Sequence, residues 1–154
     1  MTDPPLQALP AQEVAEACAR TLWGGDLASR VLGMVLEEIR PGYARLSMPV
    51  RADMVNGHRN CHGGLIFALA DSTFAFACNS TNHVTVAAAA SIDFLAPAKL
   101  GDVLIACGEA QSAVGRTGVY DIRVENQAGQ LIALFRGRSH QLKEQLIPGL
   151  EVAR

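Results

Sequence analysis

The sequence predicts an α+β fold, an antiparallel sheet of about six strands wrapped around one long helix, with a further helix ahead of them. Three observations carry this. Gly63 to Ser80 is almost continuously apolar over about eighteen residues, too long for a typical strand and suited to five helical turns. A helix apolar nearly all round must be buried by other elements. From Val84 onward the chain reads as strands only. The links between them are too short for parallel returns, which need about a dozen residues of crossover.

Each element has a local reason. Pro10 to Trp23 has helical spacing, with Val14, Ala17, Cys18 and Leu22 on one stripe and Gly24-Gly25 as its stop. Val31 to Ile39 and Tyr43 to Val50 read as strands joined by the turn Arg40-Pro41-Gly42. In the second, Tyr43, Arg45 and Ser47 alternate with Ala44, Leu46 and Met48. A polar loop, Arg51 to Cys61, leads into the central helix, expected over about 62–81. In the next strand Val84, Val86, Ala88, Ala90, Ile92 and Phe94 should share one face until Pro97 stops it. Asp102 to Val114, Thr117 to Asn126 and Leu131 to Gln141 follow, with turns at Lys99-Leu100-Gly101, Gly115-Arg116 and Ala128-Gly129. A sheet curled round a helix in this order is a hotdog fold. Ala87 to Ala90 are small enough either to face a bulky helix or to admit a second subunit.

At 154 residues the chain is read as one domain, 1–154, with room for a real core. Hydrophobic residues make up 49% and charged ones 18%, the balance of a globular chain and not a disordered one. A formal charge of -2 argues against nucleic acid or a basic membrane-binding face. Cys18, Cys61, Cys78 and Cys107 lie far apart with no CxxC pair, which favours reduced thiols over a disulfide framework. The first ten residues lack the pattern of a secretory signal, and no uncharged run suits a membrane span, so a cytoplasmic protein is expected.

The chemistry centres on the long helix. Its first N–H groups lack internal partners, and Gly63-Gly64 present no side chains there, so a carbonyl oxygen could approach closely. Such amides form an oxyanion hole. The alternative is that the glycines only allow tight packing after a sharp turn. Asp71 sits mid-helix among apolar residues, with no lysine or arginine between Asn60 and Asn82. It acts as a base or nucleophile, or else is held by hydroxyls such as Ser72 and Thr73. His62 and Asp71 are about 13 Å apart along the axis and on opposite faces. One helix cannot bring both to one atom, whereas two antiparallel copies across a dimer axis can. His58, Cys61 and His62 resemble metal ligands only weakly, with no fourth ligand evident, and no metal is expected. Cys61 as a nucleophile beside His62 is disfavoured against a buried, inert thiol. Asn56 and His62 are placed to orient a carbonyl or steady the loop. Arg136, Arg138 and His140 alternate on the last strand and would suit phosphates, or form the charged face of an edge strand.

The pattern N-G-H-x-x-C-H-G-G from Asn56 to Gly64, L-A-D at Leu69 to Asp71 and A-F-A-C-N at Ala75 to Asn79 resemble the phenylacetic acid degradation thioesterases, within the hotdog acyl-CoA thioesterases. S-I-D-F-L-x-P at Ser91 to Pro97, T-G-V-Y-D at Thr117 to Asp121 and A-L-F-R-G-R-S-H at Ala133 to His140 are also similar. The resemblance spans roughly Val50 to His140. It implies that Asp71 is the base or nucleophile, that the Gly63 N–H polarises the thioester carbonyl, and that Asn56 and His62 hold the carbonyl and the loop. Gly64, Arg136 and Arg138 are further substrate-binding candidates. It further implies sites shared between two subunits, a dimer and commonly a tetramer, with no cofactor beyond the coenzyme A of the substrate. The implied reaction is hydrolysis of phenylacetyl- or hydroxyphenylacetyl-CoA in phenylacetate catabolism. One departure is that Ala87 to Ala90 stand where some relatives carry a serine that positions water. The competing readings are a hotdog hydroxyacyl-thioester dehydratase and a non-catalytic acyl-CoA sensor.

Overall fold

The computed structural model describes residues 7–154. Residues 1–6, part of the stretch read as lacking a secretory signal, lie outside the described residues. Strand β1 (Gln7–Leu9) precedes helix α1 (Ala11–Gly25), which buries Val14, Ala15, Cys18 and Ala19. The helix runs through both glycines expected to stop it. It ends at Asp26, whose carboxylate accepts the Ser29 N–H at 3.0 Å and starts a second, five-residue helix, α2 (Leu27–Val31). Val31 therefore ends a helix instead of opening a strand. β2 (Val35–Arg40) and β3 (Tyr43–Pro49) follow as an antiparallel pair.

The central helix α3 (Gly63–Cys78) is shorter than expected at its far end. There the Asn79 amide donates to the Ala75 and Thr85 carbonyls, both at 2.9 Å, and accepts the Thr85 N–H at 2.9 Å. That side chain ends the helix and fixes the start of β4 (His83–Phe94). β5 (Val103–Val114), β6 (Thr117–Glu125) and β7 (Leu131–Gln145) complete a six-stranded sheet in the order β2-β3-β5-β6-β7-β4, every neighbour antiparallel. α3 lies in its concave face, burying Leu69, Ala70, Thr73, Phe74, Phe76 and Ala77. This is the hotdog arrangement. Gly137 shows how closely helix and sheet meet, since a Cβ there would lie 2.8 Å from the Phe74 ring. β8 (Leu150–Val152) pairs in parallel with β1, and Leu150 packs on Val14 and Cys18 of α1.

β4 departs from strict alternation. Its register against β7 slips between Ala87 and Ala89, so a bulge resets the parity. Thr85 and Ala87 lie opposite Gln141 and Ser139 before it, while Ala90, Ile92 and Phe94 lie opposite Gly137, Phe135 and Ala133 after it. Val84 through Phe94 therefore do not share one face, and Val86 is exposed. β4 is also an edge strand, and Ala87 to Ser91 are exposed on it. β7 is interior, which rules out an edge-strand account of its arginines.

Candidate active site

The site begins in the loop before α3, which is folded around Asn56. The Asn56 side-chain oxygen accepts the N–H groups of His58 at 2.9 Å and Asn60 at 3.2 Å. Its backbone N–H donates to the Asn60 carbonyl at 2.7 Å, and its carbonyl accepts the Arg59 N–H at 2.9 Å. The amide oxygen is thus committed to the loop. The NH2 group has no acceptor among the described residues and remains a donor.

His62 follows at φ -59° and ψ 131°, and its Nδ1 accepts the Gly64 N–H at 3.2 Å. The helix therefore has a side-chain cap, supplied by an imidazole. An Nδ1 that accepts places the neutral ring's proton on Nε2, which can still donate to a ligand. Gly64 has its amide filled by this cap. The Gly63 N–H, one residue earlier, has no acceptor among the described residues. It is a polarised donor at the positive end of the helix.

Gly63 lines a cavity of about 340 Å³ with Asn60, Cys61, Ile66 and the segment Phe94 to Ala98. Phe94 is 53% exposed and lies over the glycine, since a Cβ on Gly63 would sit 3.1 Å from Phe94 Cζ. Phe94 is a residue of the site that sequence reasoning passed over. It stood inside a quoted motif, but only the β4–β7 register and the path of the chain after β4 put it against Gly63. The Cys61 thiol is buried against the His62 carbonyl, and burial pushes it up from its ordinary value, so it stays a protonated thiol and not a thiolate nucleophile.

Asp71 lies about 12 Å further along α3. It is half-buried, and burial raises its carboxyl above the ordinary carboxylate range. It forms no hydrogen bond or ion pair with the described residues. The hydroxyls expected to hold it are engaged elsewhere. Ser72 Oγ meets Ser29 Oγ at 2.8 Å, and Thr73 Oγ1 donates to the Leu69 carbonyl at 2.8 Å. Ala68 and Ala75, one turn either side of Asp71, are also incompletely covered by this chain, as is Phe67. The carboxylate therefore stands on a small-residue stripe of the helix with nothing among the described residues answering it. Its charge helps push the Cys78 thiol, two turns on, up to about 12, behind the larger effect of burial.

The structure brings Asn56, His62, Gly63 and Gly64 together and leaves Asp71 apart from them within one chain. Arg136 and Arg138 lie on the outer face of the sheet, opposite α3. Arg136 is held there by Asp121, with Nε to Oδ1 at 2.7 Å and Nη2 to Oδ2 at 2.8 Å. That bond holds the Asp121 carboxyl below its ordinary range.

Residues 58–133 match the family model described as the thioesterase superfamily. The chain is 44% identical over 124 residues to the acyl-coenzyme A thioesterase PaaI of Escherichia coli, an alignment covering 80% of this chain and 89% of that one. The solved structure of the E. coli PaaI protein from the phenylacetic acid degradation operon superposes with a TM-score of 0.86 at 41% identity, covering 88% of this chain and 98% of that one. A Streptococcus mutans protein solved bound to acetyl CoA gives a TM-score of 0.70 at 27% identity, covering 72% and 90%. With its helix-start amide, its mid-helix acid and this degree of likeness, the chain belongs to the thioesterase superfamily, as a hotdog thioester hydrolase of the PaaI-like kind.

Proposed function

We propose that this chain hydrolyses aryl-acetyl thioesters of coenzyme A, phenylacetyl- and hydroxyphenylacetyl-CoA foremost, to free acid and coenzyme A within phenylacetate breakdown in the cytoplasm. The observation that carries the reading is Asp71, a half-buried carboxylate without a partner among the described residues, on the same helix that opens with the Gly63 amide, which has no acceptor among them either. The likeness to the E. coli protein of the phenylacetic acid degradation operon supports the choice of acyl group. Four free thiols suit a reducing compartment, and no helix among the described residues is long and apolar enough to cross a membrane.

The working unit in this reading is a dimer in which Gly63 of one copy faces Asp71 of the other, giving two equivalent sites, and dimers pair further into a tetramer. The separation along α3 and the exposed, alanine-rich edge of β4 support it. The Gly63 N–H, helped by Asn56 and by His62 Nε2–H, holds the thioester oxygen as negative charge develops on it. Asp71 takes a proton from water as the water oxygen bonds to the carbonyl carbon. The C–S bond then breaks, and the departing sulfur takes the proton back from Asp71. Direct attack by Asp71 would instead expel the coenzyme A thiolate and form a mixed anhydride, which water opens to the free acid and the Asp71 carboxylate, the proton released going to the thiolate. Neither route needs a metal or redox cofactor.

The test combines thiol release from a panel of acyl-CoAs with complementation. Gly63→Pro and Asp71→Asn chains are each expected to be inactive. Mixed in equal amounts and reassembled, they should recover about a quarter of native activity, because half the dimers then carry one intact site. No thiol release from any acyl-CoA by the native protein defeats the hydrolysis. A mixture no more active than its parts defeats the shared site.

A further inference from the structure

We infer that a cavity at the far end of α3 receives a hydroxylated aromatic ring, whose hydroxyl is read by Tyr120 of β6 and Ser139 of β7; this deepens the acyl-CoA reading above and rests on it for the source of the ring. The cavity holds about 280 Å³ and shares no lining residue with the one at Gly63. Cys78 borders it from the last turn of α3, Ala110 and Ala113 from β5, and Tyr120 and Ser139 from the two strands beyond. Its volume lies at the low end for ligand pockets and suits a single ring.

The two hydroxyls are what the cavity offers a ligand. Tyr120 is 7% and Ser139 3% exposed, and neither hydroxyl has a hydrogen-bond partner among the described residues. Every side-chain oxygen or nitrogen sealed inside the packing does have one, so these two oxygens border open space, and that space is the cavity. Burial pushes the Tyr120 phenol up to about 12, which keeps it a donor as well as an acceptor. Gly118 lies opposite Ser139 in the β6–β7 register and holds the space open between the two side chains. A Cβ there would sit 2.6 Å from Ser139 Oγ and 2.8 Å from Tyr120 Cε2. An alkyl chain in this cavity would leave both hydroxyls dry and unpaired, whereas a phenol donates to one and accepts from the other.

The spacing to Asp71 ties the cavity to the acyl group. Cys78 lies two turns beyond Asp71 on the same face of α3, about 10 Å along the axis. Ala75, between them, is small and exposed, so the helix surface leaves room for a ring to lie along it. A carbonyl carbon about 3 Å from the attacking oxygen, with a ring hydroxyl about 6 Å beyond it in an aryl-acetyl group, spans that interval. An acyl group laid along α3 from Asp71 therefore ends at Tyr120 and Ser139, and the chain that supplies the carboxylate also supplies the ring receptor.

The test uses Tyr120→Phe/Ser139→Ala, which removes both hydroxyls and keeps the aromatic packing, with thermal melts as the check on folding. kcat/KM is measured for 4-hydroxyphenylacetyl-CoA and phenylacetyl-CoA, and calorimetry follows binding of free 4-hydroxyphenylacetate and phenylacetate. The ratio of kcat/KM for the hydroxylated substrate to that for the plain one should fall by about tenfold to a hundredfold in the variant, as for two hydrogen bonds lost from a buried hydroxyl. A preference for the hydroxylated free acid that disappears in the variant, while the thioester ratio stays put, assigns the ring to the released product and keeps the receptor. An unchanged thioester ratio with no free-acid preference to lose, whatever the absolute rates, overturns the inference and leaves the two hydroxyls to water. If the native protein releases no thiol, the hydrolase reading fails and the free-acid arm decides alone. A preference lost in the variant then upholds the ring receptor, and no preference overturns it.

Discussion

Replacing Gly63 by proline removes one N–H from the helix start and changes little else. Gly63 is the first residue of α3, the helical position at which proline is favoured. His62, at φ -59° and ψ 131°, already has the extended conformation that a following proline imposes. The added ring meets Phe94, whose Cζ lies 3.1 Å from a Cβ at this position, but Phe94 is 53% exposed and can swing outward. The missing donor should cost about 3 kcal/mol in the transition state, a fall in kcat of about 10² to 10³. Gly63→Ala carries the same Cβ and keeps the N–H, so it reports the steric part alone and should lose less than about tenfold. Thiol release under saturating acyl-CoA gives kcat for both, and thermal melts should place both within a few degrees of the native protein. If alanine costs as much as proline, crowding by Phe94 explains the loss and the amide has no catalytic part. If proline keeps kcat within tenfold of alanine, the oxyanion assignment fails.

Asp71→Asn should lower kcat/KM by about 10² to 10⁴ while raising Tm. The sign follows from burial. The folded pKa lies above the unfolded one, so the contribution to stability is fully present below the unfolded value and is lost as pH rises through the folded value. Asparagine carries no such loss, so melts of the two proteins should diverge as pH rises from the acid side, and a destabilised variant would mark Asp71 as structural. The same shift should place the acid limb of kcat/KM above the ordinary aspartate range of about 3.9, and a rate flat down to that pH would refute Asp71 as the ionised group. Asn82 is buried in a left-handed turn at φ +64°. It donates to the Ile147 and Leu150 carbonyls at 2.9 and 2.8 Å and accepts the Ile147 N–H at 2.7 Å. Asn82→Ala should cost about 3 kcal/mol and lower Tm by about 6–12 °C, leaving the rate per folded molecule unchanged; a melt within about 2 °C of native would show that water replaces those bonds.

The central helix was legible because eighteen or so apolar residues admit few alternatives, and β5 to β7 because their turns are short and glycine-marked. α2 left only a local trace, Asp26 three residues before Ser29, too slight beside a stretch that also suits a strand. The β4 bulge left none, since in a run of four alanines one residue can be slipped without changing the pattern. At the site, Gly63 and Asp71 stood out because each breaks the composition of its surroundings. The Arg136–Asp121 pair did not, because it depends on the register between β6 and β7. His62 as a cap was hidden by its residue type, since the common caps are hydroxyl, amide or carboxylate side chains.

The pairing of β1 with β8 sets an order of events during synthesis. Gln7 to Leu9 leave the ribosome early, but their hydrogen-bonding partners, Leu150 to Val152, are made well over a hundred residues later. Until then the stripe of α1 that carries Val14 and Cys18 has no Leu150 to cover it, and Asn82 has no Ile147 to grip. The part of α1 around Val14 and Cys18 therefore waits for Leu150, while Ala19, Leu22 and Trp23 of the same helix pack on the main core, Trp23 against Phe76. Final locking of the N-terminal helix is one of the most sequence-distant steps in the fold, and a slow one by the ordinary dependence of rate on contact separation.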